Sequence, residues 1–321
     1  LTYRLRPTKR GLYEIGDMHL RYRTLLGLLL RRQRFSTRTL VKVYPNVANL
    51  GRYELAARAH RLSELGLVAI RQRGEGGIFE SLRDYVPGDD PADIAWKATA
   101  RRGRLITRNY ESDRSQNVVI VLDCGRLMTT EVGDLSRLDC AINATLLLTY
   151  VAMKQGDYIG LVAFRDRIES YVPPTRGRAA LTQMNEALYR LEARLREPNY
   201  EQACRFLALR HRKRSLVIIF TDVIDRQASS ILLTYCARFA RQHVPICVTL
   251  RNLEIEELAA AAPHAAGDCF AKAVALHMLA RRSEALAEMR QLGVDILDVR
   301  PQDVTPKLIH RYLWLKQRRK L

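Results

Sequence analysis

The sequence predicts an α/β fold: a doubly wound, mostly parallel sheet preceded by a small β-rich region. Three observations carry this expectation. From Val118 onward, short aliphatic runs alternate with longer stretches whose apolar residues recur at helical spacing, the rhythm of a sheet wrapped by helices. Two of these runs, Val118-Val119-Ile120-Val121-Leu122 and Leu216-Val217-Ile218-Ile219-Phe220-Thr221, end in the carboxylates Asp123 and Asp222. Over residues 1–50 the pattern is instead one of strand-like segments punctuated by turns.

In that first region the strand-like segments are residues 11–16, 19–30 and 39–44, and residues 1–50 are expected to form part of a β-sandwich. Leu55, Ala59, Leu62 and Leu65 make a stripe, so residues 52–65 are expected to be helical. Residues 74–115 are rich in Gly, Asp and Arg, which predicts an irregular connection with a short helix over 91–99. Residues 51–115 thus join the β-rich region to an α/β domain over 116–321.

Within that domain, Leu138, Ala141, Ile142, Thr145, Leu148 and Ala152 predict a helix after Asp123. Gln155-Gly156-Asp157 turns it into a strand over 158–164, and residues 167–172 form an edge strand stopped by Pro173-Pro174. Leu181, Met184, Leu188, Leu191 and Leu195 predict one helix ending at Pro198. After Asp222 follow a helix over 229–242, a strand over 246–250, a helix over 267–292, a strand over 294–299 and a basic terminal helix over 306–320.

Composition narrows the function classes. A hydrophobic content of 47% in 321 residues is that of a globular chain rather than a disordered one. The formal charge is +19, and residues 1–110, with 22 Lys and Arg against 10 Asp and Glu, carry +12 of it. Such a region suits nucleic acid, an anionic membrane surface or an acidic partner. Arg31-Arg32-Gln33-Arg34 and Arg101-Arg102-Gly103-Arg104 lack the aromatic interleaving of a base-stacking platform, which argues against nucleic acid.

The six cysteines stand singly, mostly in apolar segments, as expected of reduced core thiols in a cytosolic setting. Neither they nor the scattered histidines show zinc-ligand spacing. The aliphatic run 25–30 falls far short of the ~20 residues a spanning helix needs, so the chain as given is expected to be soluble. It begins at Leu1 rather than Met, which suggests a piece of a longer protein. No phosphate-loop, dinucleotide or nucleophile-elbow pattern occurs.

Asp123 and Asp222 are the first candidates for chemistry. Ligands of open parallel sheets gather outside the carboxyl ends of the strands, and two carboxylates there can hold a hard cation such as Mg²⁺. Local capping and turn hydrogen bonds are the plainer role for both. Asp84, Asp89 and Asp90 form a second acidic cluster. In Pro87-Gly88-Asp89-Asp90-Pro91, Gly88 permits a tight turn and Asp89 or Asp90 can cap a helix begun at Pro91. Trp96, Lys97 and Arg101 are then expected to brace this segment against the sheet, with Arg83 or Arg101 pairing a carboxylate.

The Asp-terminated strands and the Gly156-Asp157-Tyr158-Ile159-Gly160 turn between them resemble a von Willebrand factor A domain. The run from Phe79 to Pro91, continued by Ile94-Ala95-Trp96-Lys97-Ala98-Thr99-Ala100-Arg101, resembles the signature of the bacterial domain-of-unknown-function 58 family. Arg10-Gly11-Leu12-Tyr13, Val43-Tyr44-Pro45 and Arg311-Tyr312-Leu313-Trp314-Leu315-Lys316 resemble its opening and its ending.

The resemblance implies a metal-ion-dependent adhesion site in which Asp123, Thr175 and Asp222 are ligands. It also exposes a gap: Gly125 and Leu127 stand where that site has serines. A degenerate site binding Mg²⁺ weakly is the expectation. Arg126 would oppose a divalent ion or take its place by pairing with Asp123 and Asp222.

The resemblance further implies a non-enzymatic interaction module, anchored by helices upstream of Leu1, on the cytoplasmic face of the inner membrane. The implied partner is a MoxR-type AAA+ ATPase, and the implied process is assembly or maturation of protein complexes. Nucleic-acid binding through the basic N-terminal third and metal-dependent hydrolysis are the alternatives.

Overall fold

Val118 to Leu122 are buried on both faces of a six-stranded sheet that organises the chain. The computed structural model describes all residues except 1–3, 5–6, 8, 24–26, 46–72, 87–90, 92–93, 112–114, 134, 224–228 and 318–321. The expected helix over 52–65 and the residues Gly88, Asp89 and Asp90 lie outside the described residues.

The central sheet runs β11(Ile168–Arg176), β10(Tyr158–Phe164), β7(Asn117–Asp123), β12(Leu216–Phe220), β13(Val244–Leu250) and β14(Asp295–Val299). Only the edge pair β10–β11 is antiparallel. Such strands must be apolar on both sides. Val118, Ile120 and Leu122 accordingly face α2(Arg137–Lys154), α3(Arg178–Leu188) and α8(Val304–Gln317). Val119 and Val121 face α4(Tyr200–Arg210), α5(Ser230–Gln242) and α7(Ala266–Gln291). The doubly wound α/β domain is therefore the one expected.

Several elements depart from expectation for identifiable reasons. β11 runs through Pro173 and Pro174: one missing N–H can fall on the open side of this edge strand, and the register shift between Ile159 and Leu161 accommodates the other. The helix read through to Leu195 stops at Leu188. Beyond it the backbone bonds to the loop after Asp123: Arg194 N–H donates to Cys124 O at 3.1 Å and Arg126 N–H to Arg196 O at 2.9 Å. Leu191 is buried there, whereas Leu195 is 82% exposed. α4, opened by an Asn199 cap, and the short α6(Leu253–Ala260), capped by Asn252, were not expected.

The described residues within 74–115 are more regular than expected. β5(Arg73–Asp84) pairs antiparallel with β6(Ile106–Glu111), and α1(Trp96–Arg102) lies between them in sequence. Pairing gives their backbone groups partners despite the Gly and Arg content.

Ahead of them, β1(Gly11–Ile15) pairs with β4(Thr39–Val43), and β2(Met18–Arg23) with β3(Leu30–Phe35). Of residues 19–30, residues 19–23 lie in β2, 27–28 form a bend and Leu30 opens β3. These pairs are mostly solvent-exposed, and β1–β4 is tied to the α/β domain from its flanks. Arg10 reaches Leu191 O at 2.7 Å and pairs with Asp139 at 3.0 Å. Lys42 and Tyr44 both bond Glu186 on α3.

Candidate functional site at the strand ends

The carboxyl ends of β7 and β12 lie side by side, Leu122 opposite Phe220 in register. From β7 the chain crosses to β10 on one side; β12 lies on the other, so the two strands flank the switch point of the sheet. Asp123 and Asp222 meet there, as the sequence suggests. What surrounds them is different.

Asp123 is fully buried. Gly125 N–H donates to its Oδ1 at 2.7 Å, while Thr221 Oγ1 at 2.8 Å and Tyr200 OH at 3.0 Å donate to Oδ2. The two hydroxyls also meet each other at 2.8 Å. Burial raises the Asp123 pKa to about 6, against the opposing pull of these donors.

Asp222 is held by charge. Arg137, at the first turn of α2, donates through Nη1 to its Oδ2. Arg282, on α7, donates through Nη1 to Oδ1 at 2.6 Å and through Nη2 to Asp298 Oδ1 at 2.9 Å. Val223 N–H takes Oδ1 as well, at 3.0 Å. Burial works against the Arg282 charge, but Asp222 and Asp298 outweigh it and raise its pKa. All four oxygens of the strand-end pair therefore already accept protein donors.

The loop leaves no room for a side chain at Gly125. A Cβ on Gly125 would come within 2.9 Å of Pro198 Cδ and 3.0 Å of Arg196 O. Glycine stands there because the 194–198 segment packs directly on the loop. Leu127 lines a neighbouring cleft rather than facing the carboxylates alone.

These residues do not fit a divalent cation. Guanidinium groups occupy the Asp222 oxygens, Gly125 and Leu127 supply no ligand, and Thr175 is at the wrong end of the sheet. Thr175 stands opposite Ile159, which stands opposite Val118, roughly 16 Å down the strand from Asp123. Its hydroxyl donates to Pro173 O at 2.9 Å and meets Gln183 at 3.2 Å. Among the described residues no group of three or more His, Cys, Asp or Glu is arranged to hold a metal ion. Arg126 does not enter the site either; it pairs with Glu197 on the surface. The substitution of cation for metal expected of Arg126 falls to Arg137 and Arg282.

Beside the ion pairs opens a cleft of about 320 Å³ between the strand ends and α6–α7. Leu127, Ile255 and Met278 are part of its apolar lining, and Arg251, Arg282 and Arg290 share its wall with Asp222, Glu256 and Asp298. Arg251 pairs with Glu256 at 2.6 Å, whereas Arg290 has no carboxylate partner among the described residues.

The signature segment plays a local role. Ile94 and Ala95 are buried and join β6 through Ala95 N–H to Ile106 O at 2.8 Å. Trp96 is 64% exposed, and Lys97 and Arg101 are exposed, so the expected brace is made by Ile94 and Ala95 instead. Asp84 pairs with Arg104 at 2.9 Å on the surface. The side chain of Arg83 lies outside the described residues.

Thr221, Tyr200, Arg137 and Arg282 were missed in the sequence. Thr221 had a signal in its position beside Asp222. The others reach the site from three different helices, and no local spacing announces them.

The family described as "Protein of unknown function DUF58" matches residues 81–282, more than half of the chain. The "Uncharacterized protein YeaD" of Bacillus subtilis (strain 168) is 29% identical over 123 residues, 38% of this chain and 30% of that protein. The chain thus matches less than a third of that relative's length. Among solved structures, the SpRpn10 VWA domain is similar at a TM-score of 0.41 and 10% identity, covering 61% of this chain and 95% of that one. The conserved hypothetical protein BatB from Bacteroides thetaiotaomicron is similar at 0.41 and 13% identity, covering 64% and 100%.

Proposed function

Because the chain belongs to the family described as protein of unknown function DUF58, we propose that it is a non-enzymatic protein-interaction module that docks an acidic partner segment at its strand-end cleft. The observation that carries this reading is the positive charge left over in the cleft. Arg137 and Arg282 are spent on Asp222 and Asp298, while Arg290 at the wall has no carboxylate partner among the described residues and the partly exposed Arg251 has only Glu256. Arginine suits this task because its planar fork meets a carboxylate bidentately. Docking through such a surface needs no metal, so the adhesion site is degenerate in ligands and retained in position.

The finer reading follows the resemblance. The full-length protein is anchored in the bacterial inner membrane, with this part on the cytoplasmic side and its basic N-terminal third facing the anionic lipid surface. Its partner is a MoxR-type AAA+ ATPase, and the pair acts in assembly or maturation of other protein complexes. Among the described residues, no helix is long and apolar enough to cross a membrane.

Sedimentation velocity of this chain with a purified MoxR-type ATPase of the same organism tests the proposal. Wild type is expected to form a complex that Arg251→Glu/Arg290→Glu weakens at least tenfold, with Mg²⁺ and EDTA giving the same result. No complex, or equal binding by the variant, would overturn it. Metal-stimulated hydrolysis lost in Asp123→Ala would favour the enzymatic alternative.

A further inference from the structure

Every residue of β2 and β3 except Leu20 is exposed. Direct pairing of Met18 with Phe35, Leu20 with Gln33 and Tyr22 with Arg31 puts Met18, Leu20, Tyr22 and Phe35 on one face together with Gln33 and Arg31. The alternate pairs put His19, Arg21, Arg23, Arg32 and Arg34 on the other, with Leu30. Next to the turn, Leu28, Leu29 and Leu30 are 80%, 66% and 60% exposed. Single exposed leucines are ordinary, but three in succession beside a β-turn form a patch that water disfavours.

The charge around that patch is uncompensated. Residues 18–35 contain five arginines and no Asp or Glu. Asp17 takes Arg34, and Arg32 lies 3.4 Å from His19. No carboxylate among the described residues pairs with Arg21, Arg23, Arg31 or Arg32. An isolated two-stranded pair of this kind has no hydrophobic reason to keep its leucines in water. Apolar residues at the tip of a cationic element match the boundary between anionic headgroups and acyl chains, where each part finds its preferred surroundings.

We propose that the β2–β3 hairpin is a membrane-surface finger: Leu28, Leu29 and Leu30 enter the headgroup region of an anionic bilayer while Arg21, Arg23, Arg31 and Arg32 engage lipid phosphates. This rests on the membrane-facing reading above and deepens it, since the contact is made by the chain itself rather than by an anchor elsewhere. It is independent of the strand-end cleft. The alternative occupants, a second copy of the chain or a nucleic acid, make different demands: a copy would bring the same five arginines against each other, and nucleic acid would leave the leucines unburied.

Flotation with vesicles of phosphatidylcholine alone, and with about a third phosphatidylglycerol, decides it. Wild type is expected to float only with the anionic vesicles and to be released by salt. Leu28→Asp/Leu29→Asp and, separately, Arg21→Glu/Arg31→Glu are expected to lower binding at least tenfold, with circular dichroism and ATPase binding unchanged. In a second measurement, Leu28→Trp is expected to shift its emission to the blue on anionic vesicles and to be quenched by brominated lipid. Wild-type flotation unaffected by both hairpin variants would overturn the assignment while leaving the membrane-facing reading intact. Absence of wild-type flotation would overturn both, and leave the cleft reading to its own test. Self-association or duplex binding abolished by the hairpin variants, in place of vesicle binding, would overturn the finger in favour of those occupants.

Discussion

Arg282 and Asp222, far apart in sequence, form the central link of the strand-end site: Arg282 Nη1 lies 2.6 Å from Asp222 Oδ1 and equally close to Val223 O. Its other nitrogen reaches Leu250 O and Asp298. One guanidinium thus joins the ends of β12, β13 and β14 to α7.

Truncating it should be costly. Arg282→Ala leaves Asp298 without its ion pair and Asp222 with Arg137 alone, in a site that is mostly buried. Removing one partner of a buried pair typically costs about 3–5 kcal/mol. Urea unfolding of the variant should show a loss in that range, and a change below about 1 kcal/mol would mean the clamp is ornamental.

Asp123 makes stability depend on pH in the direction opposite to a salt-bridged carboxylate. Its folded pKa, about 6, lies above the usual 3.8. The folded state therefore holds the proton more tightly than the unfolded chain. The stabilisation is fully present below about pH 4 and is lost as pH rises through 6, on the order of 3 kcal/mol in all. Asp123→Asn keeps the shape, and its amide can serve Gly125, Tyr200 and Thr221. Its stability curve should lack this fall, making it at least as stable as wild type at pH 7. A parallel fall in the variant would place the titration elsewhere.

Placing a serine hydroxyl in the loop should not create a metal site. Gly125→Ser sets a Cβ against Pro198 and the Arg196 carbonyl at about van der Waals overlap, so a loss of about 1–3 kcal/mol is expected from overpacking. Gly125→Ser/Leu127→Ser should bind Mn²⁺ no better than wild type, because Arg137 and Arg282 still hold Asp222. Electron paramagnetic resonance of added Mn²⁺ reads this directly.

The contrast between what was legible and what was not follows from range. β7, β10, β12 and α2 announce themselves because each is a local pattern, a period or an aliphatic run. The anchor of the terminal helix does not: Asp157 in its Gly-Asp turn is fully buried, and Tyr312 and Lys316 of the closing motif donate to it from 155 and 159 residues away. The site itself was half legible. Asp123 and Asp222 could be placed because strand ends converge at a switch point, but Tyr200, Arg137 and Arg282 converge only through tertiary packing. Thr175 was misplaced because a proline pair looked like a loop, whereas β11 continues through it.

The cysteines offer a check on the core. Cys124, Cys140, Cys204, Cys236 and Cys247 are buried and Cys269 is exposed on α7. Burial raises the Cys140 pKa to about 11 and those of Cys204 and Cys236 to about 12. A native thiol titration should therefore find one fast-reacting sulfur of the six, lost in Cys269→Ser, with the others appearing only in denaturant. Two or more fast thiols in the folded protein would contradict the packing of the sheet faces.

Calorimetric titration of the wild-type chain with Mg²⁺ and Mn²⁺ tests the central claim, that protein donors rather than a metal ion hold the strand-end carboxylates, Arg137 and Arg282 on Asp222 and Gly125, Thr221 and Tyr200 on Asp123. No saturable heat is expected up to millimolar metal, and the melting temperature should be the same in Mg²⁺ and EDTA. Saturable binding at sub-millimolar metal that disappears in Asp222→Ala would contradict the account.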